Sequence, residues 1–140
     1  MSSTPEYAPL WRRLAAGLYD FFPVLALWMV TGAIALAATQ GAMDVRHPPL
    51  LYRLALLLVT AAYYVLSWAR GGQTLGARAW RVRVQREDGA ALSLAAAALR
   101  FAVSLLSLLL LGLGFLWALF DARRRTWHDM ATSSLLVRKV

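Results

Sequence analysis

Three long uncharged apolar stretches, at residues 21–39, 54–69 and 101–120, constrain this chain more than any other feature of its sequence. A bilayer hydrocarbon core of about 30 Å needs roughly 20 apolar residues at about 1.5 Å of helical rise each. The second stretch extends back to Leu50 if Arg53 snorkels toward the surface. Lipid offers no water to backbone N–H and C=O groups, so each stretch is predicted to be helical. Composition agrees: 60% of the 140 residues are apolar and 16% charged, whereas soluble domains run near half and a quarter. An ordinary soluble domain is therefore excluded. The chain reads as one domain, 1–140, with apolar segments near 18–39, 50–69 and 100–120, a basic loop at 70–99 and a basic tail at 121–140. The predicted class is an all-α membrane protein: a small transmembrane helical bundle with a short β element.

A cleavable signal peptide is the competing reading of the first stretch. Arg12 and Arg13 would form its charged region and Ala35-Leu36-Ala37 its cleavage site. Asp20 beside the apolar region, and the ease with which Ala-rich sequence matches that site, weigh against it.

The net charge is +8, and every positive residue but Lys139 is arginine. Such a balance suggests nucleic acid or an anionic membrane surface. The apolar excess selects the membrane and its anionic head groups, with Arg78, Arg81, Arg83 and Arg86 as the expected lipid-phosphate contacts. No nucleic-acid partner is expected, because the aromatics sit in or beside the apolar segments rather than along a polar groove. Trp11, Trp68, Trp80 and Trp127 read as interfacial belt residues. The positives cluster before the first segment, in the loop at 70–99 with Arg100, and in the tail, leaving only Arg46 and Arg53 elsewhere. Positive charge collects on the cytoplasmic side. The N-terminus and central loop are thus expected inside and the loop near 40–49 outside, as in a bacterial inner-membrane protein.

The third segment admits two paths. A straight span strands the basic tail on the outer side. A re-entrant hairpin turning at Gly112-Leu113-Gly114 returns it, and the charge asymmetry favours that path. Residues 80–86 alternate apolar and polar as a strand does, and Asp88-Gly89 is a turn signal. Ser93 suits the N-cap of the helix leading into Arg100. The strand is expected to pair with 134–138, which requires both on one face.

Few residues suit chemistry. There is no cysteine, no H-E-x-x-H and no Gly-Lys-Ser/Thr after the glycines at 71–76, and no nucleophile elbow. No metal, cofactor or enzymatic activity is expected. Ionisable groups at the membrane stand out instead, since each is costly there and points to function. Asp20 lies two helical turns after Arg13 on the same face, and Pro23 removes a backbone bond beside it. Asp121, His128 and Asp129 cluster in the tail. Asp20, Asp129 and an arginine converging at the mouth of the bundle could carry protons or a small cation. The alternative makes both aspartates counter-ions that hold helices together.

These residues resemble the RDD family, small bacterial membrane proteins named for one arginine and two aspartates. The matching stretches are Arg12-Arg13 through Asp20, Gly72-Gln-Thr-Leu-Gly76-Ala-Arg78, and Phe120 through His128-Asp129-Met-Ala. The seven-residue step to Asp20 makes Arg13 the family arginine rather than Arg12. The family pattern places Gly-Thr shortly after the second aspartate, where this chain has Ala131-Thr132-Ser133. The resemblance implies a transport role, with some members similar to cation/proton antiporters. The expectation is a transporter component using Arg13, Asp20 and Asp129, with Arg12, Asp121 and His128 in support. Such a path suggests a homo-oligomer, with Gly32, Ala33 and Ala37 allowing close contact. The alternative is a non-transporting accessory protein that anchors or regulates a membrane partner.

Overall fold

The computed structural model describes residues 5–139. Two long helices, α1 (Leu10–Ala38) and α2 (Leu50–Gly71), are both long and apolar enough to cross a membrane. At 1.5 Å per residue α1 is about 44 Å long and α2 about 33 Å. Almost nothing of either apolar stretch is buried within the chain, which is the pattern of helices whose solvent is lipid. α1 begins eight residues ahead of its apolar stretch and runs through Pro23 without a break. Its first two turns thus project from the membrane face, bringing Arg13 with them. Within the membrane, the Trp28 indole N–H donates to Thr60 Oγ1 at 2.8 Å, tying α1 to α2. Gly32 packs against Tyr52 of α2, where a Cβ would meet the phenol oxygen at 3.2 Å. The small residue expected to serve an oligomer contact is therefore occupied inside the chain.

Gly72, with φ +69°, ends α2. A Cβ there would sit 2.1 Å from the Val84 carbonyl, so glycine is required twice over. A short helix α3 (Leu75–Ala79) leads into strand β1 (Val82–Arg86). Gly89, with φ +83°, makes the expected turn. Ser93 caps α4 (Leu94–Leu109) by accepting from the Ala96 N–H at 3.1 Å.

The third apolar segment bends. α4 spans about 24 Å, short of the hydrocarbon thickness. Leu111 and Gly112 then take positive φ values of 58° and 76°. Helix α5 (Leu113–Leu116) and a 3-10 turn (Trp117–Leu119) leave at 105° to α4. The turn falls at 110–112, slightly ahead of the predicted centre, and Gly114 lies within α5. Helix α6 (Trp127–Ala131) and strand β2 (Ser134–Arg138) finish the fold.

β1 and β2 pair antiparallel, with Val84 opposite Leu136. Tyr7 bridges to Val137 on the other edge of β2, and the Ala8 N–H donates to the Leu136 carbonyl at 2.9 Å. The N-terminal segment, the loop after α2 and the tail therefore meet in one small assembly. The bent pair α4–α5 lies between α4's start in this assembly and the tail that rejoins it, so the chain turns back to the same end of the two long helices. The core sits there too: Ala8, Val82, Val84, Leu92, Ala97 and Leu136 are buried together. Trp68 belongs to that core, at 9% exposure, rather than to an interfacial belt. Its ring stacks obliquely on Tyr64, 5.4 Å away, and the guanidinium of Arg100 lies over it.

Candidate functional site

Two buried carboxylates organise the membrane face, and they do so separately. Asp129 lies in the first turn of α6 and is fully buried. Arg13 of α1 grips it side-on, with Nη2 to Oδ2 at 2.6 Å and Nη1 to Oδ1 at 3.4 Å. Arg100 of α4 donates to Oδ1 and also to Ser134 Oγ at 3.0 Å. The Thr126 backbone N–H donates to Oδ2 at 3.0 Å, so the carboxylate also caps its own helix. Burial opposes ionisation of Asp129, but the two guanidiniums outweigh it and hold the carboxyl well below the usual carboxylate range. The triad joins the start of α1, the start of α4 and the tail.

His128 is buried beside it. Its Nε2 lies 2.8 Å from Thr126 Oγ1 and 3.4 Å from Arg13 Nη1. An arginine can only donate, so Nε2 accepts and Nδ1 carries the proton. Burial, reinforced by the Arg100 charge, pushes His128 well below its ordinary value and keeps the ring neutral. Its ring packs 4.9 Å from Phe115 of the hairpin.

Asp20 stands apart from this triad and makes no ion pair among the described residues. It is 3% exposed and accepts three hydrogen bonds. Tyr63 of α2 donates its hydroxyl to Oδ1 at 2.7 Å, Thr74 donates to Oδ2 at 2.6 Å, and the Gly76 N–H donates to Oδ1 at 2.7 Å. Thr74 is also the N-cap of α3, accepting from the Ala77 N–H at 3.1 Å. Gly76 must be glycine, since a Cβ would lie 2.0 Å from the Ala16 carbonyl oxygen. The glycines at 72 and 76 and the threonine between them thus form a seat for Asp20 as well as an exit from α2.

A cavity of about 820 Å³ lies between α1, α2 and the α4–α5 hairpin. Its walls are apolar and aromatic, including Phe21, Trp28, Tyr64 and Phe101, and its polar end is formed by Asp20, Thr74, Arg13, Arg100 and His128.

The sequence-predicted residues divide accordingly. Arg13 reaches Asp129 rather than Asp20, and the expected convergence of both aspartates on one arginine does not occur. Arg12 donates to the Trp80 carbonyl at 3.1 Å and lies over Trp11. Asp121 binds Arg125 and takes the backbone N–H groups of Arg123 and Arg125, shaping the tail loop outside the triad. Arg78 and Arg81 line a shallow concavity of about 430 Å³ together with Lys139. Arg83 is half-buried against Gly72, and Arg86 pairs with Asp88 at 3.4 Å. Sequence reasoning missed Arg100, Tyr63, Thr74 and Gly76. Arg100 carried a signal: a charge abutting an apolar run is as costly as Asp20 and demands a partner. Among the described residues no group of three or more His, Asp or Glu side chains could hold a metal ion.

No curated protein and no solved structure matches the chain significantly. The RDD family model matches residues 7–133, a range that holds Arg13, Asp20, both seats and Asp129. This multi-pass membrane protein, with its arginine and two aspartates buried at one membrane face, belongs to the RDD family.

Proposed function

We propose that the protein exchanges protons for cations across the bacterial inner membrane, with Asp20 as the exchanging carboxylate. The observation that carries this reading is a buried aspartate with no cation bonded to it among the described residues, lining a cavity between the apolar helices. An intramembrane carboxylate of that kind holds a proton or a cation in turn at little change in net charge. Asp129 has the opposite character. Two guanidiniums hold it ionised, so it serves as the lock that closes the tail onto α1 and α4. The face bearing the N-terminus, the central loop and the tail is the cytoplasmic one, because nearly all the positive charge lies there. Arg78, Arg81 and Lys139 would contact anionic head-group phosphates on that face. The exposed outer surfaces of α1 and α2 leave room for a second copy of the chain.

Proteoliposomes loaded with a pH-sensitive dye test the reading, with gradients of Na+, K+ or a quaternary ammonium ion imposed in turn. The expected result is a proton flux that disappears in Asp20→Asn and persists in Asp20→Glu. If no cation drives flux, or if flux survives Asp20→Asn, the protein is instead an accessory anchor for a membrane partner.

A further inference from the structure

We infer that the cavity beside Asp20 binds a lipophilic organic cation, one with delocalised or shielded charge and apolar substituents. The inference deepens the exchange reading and rests on it for the role of Asp20. At about 820 Å³ the cavity has the size of a site for a drug-sized molecule. Its rim is apolar and exposed at Leu18, Phe21, Leu108 and Leu111, all of which line it. The mouth therefore opens toward lipid rather than toward water. A ligand arriving by that route is one that already partitions into the bilayer.

The interior selects for charge type. A small hard cation needs a shell of oxygen ligands to replace its water. Among the described residues Asp20 is the only carboxylate on the cavity wall, and the rest of the wall is mostly hydrocarbon and aromatic ring. A bare ion would lose its hydration there without replacement. A large organic cation sheds far less hydration and gains from aromatic faces. The wall already holds such a group: Arg100 lies 4.9 Å from the centroid of Trp68, and both residues line the cavity.

The charges around Asp20 fit a cation that replaces a proton. Arg13 and Arg100 also face the cavity; both are bonded to Asp129, and the triad keeps one net positive charge that an ionised Asp20 balances. His128 is neutral, and Tyr63, Thr74 and Gly76 offer only neutral donors. Among the described residues, Asp20 is thus the one charged group on the wall without an opposite charge bonded to it. Its Oδ2 accepts a single hydrogen bond and keeps capacity for another contact. When the cation enters, the Asp20 O–H bond breaks and one proton leaves to the aqueous side. The net charge of the cavity is the same before and after.

Gly17 supplies a test that leaves Asp20 untouched. It lines the cavity, and a Cβ built on it meets nothing within 4 Å. Gly17→Phe therefore adds a ring to the cavity wall from a position where the new Cβ meets no neighbour. Binding of tetraphenylphosphonium to the purified chain in a neutral detergent is read by quenching of tryptophan fluorescence and by equilibrium dialysis. Tetraphenylborate, of the same shape and opposite charge, is the control. The inference expects saturable binding of the phosphonium only, weakened at least tenfold by both Gly17→Phe and Asp20→Asn. Absence of saturable binding, preference for the borate, or full affinity in Gly17→Phe overturns it. The two readings then separate. Flux driven by Na+ or K+ through Asp20 without phosphonium binding removes the organic cation and keeps the exchange. Phosphonium binding that depends on Asp20, without any cation-driven flux, keeps the site and removes the exchange.

Discussion

Asp129 and His128 sit side by side, and acid acts on both. Asp129 is held below its usual range by Arg13 and Arg100, so its stabilising charge is present above the unfolded value near 4 and is lost as pH falls below it. His128 is held low by burial and by the arginines. Its protonation therefore favours the unfolded chain, and stability begins to fall once pH drops below about 6.5. Both effects have the same sign. Denaturant unfolding in detergent is expected to show stability falling between pH 7.5 and 5. That slope should be largely removed in His128→Gln, whose amide is neutral at both values. An unchanged slope would assign the titration elsewhere. The resemblance to the RDD family made Arg13, Asp20 and Asp129 legible as a set, and Asp20 also stood out as an ionisable group at the edge of an apolar segment. Which arginine meets which aspartate was not legible. A seven-residue step places Arg13 and Asp20 on one helix face, but the tertiary fold turns Arg13 toward a residue at the far end of the chain. Tyr63 carried no signal of its own, and Thr74 only its place in the family stretch 72–78, because a hydroxyl becomes a partner only when folding brings a carboxylate to it. Ser133, at φ +48°, occupies the turn where the family pattern led us to expect glycine nearby.

At the scale of elements, the α4–α5 hairpin depends on two close approaches. Gly114 lets α5 lie against α4 and α6: a Cβ there would sit 2.1 Å from Ser107 Oγ and 2.8 Å from the Trp127 ring. Gly114→Ala overpacks that contact and is expected to cost about 1–3 kcal/mol. Gly17→Ala, in open space on α1, is expected to be neutral or to stabilise by up to about 1 kcal/mol through helix propensity. Thermal melts of the two variants in one detergent check the contrast, and equal effects would refute the packing argument. The elements themselves were largely readable. Alternation at 80–86 marked a strand, Asp88-Gly89 its turn and Ser93 the following cap. Where α1 begins was less readable, because its first turns carry Arg12 and Arg13 and Arg13 bonds to the tail.

At the scale of the molecule, β1, β2 and the N-terminal segment bind one another, which sets the path of everything between them. Cysteines placed singly at Arg83 and Arg138 in sealed vesicles are expected to be labelled from the same side, and one at Asp44 from the opposite side. Labelling of Arg83→Cys and Arg138→Cys from opposite faces would rule out the re-entrant hairpin. Charge placement alone favoured that path, but only the pairing of strands some fifty residues apart in sequence requires it. The central claim is that the two family aspartates do different work, Asp129 locking the fold and Asp20 carrying the exchange. Unfolding free energy and proton flux, measured together on Asp20→Asn and Asp129→Asn, test it most directly. Asp129→Asn strands two buried guanidiniums and is expected to lose about 3–5 kcal/mol. Asp20→Asn keeps its shape and an acceptor, and is expected to lose about 1–2 kcal/mol while abolishing flux. A folded, stable Asp129→Asn protein, or an Asp20→Asn protein that still exchanges protons, would contradict the account.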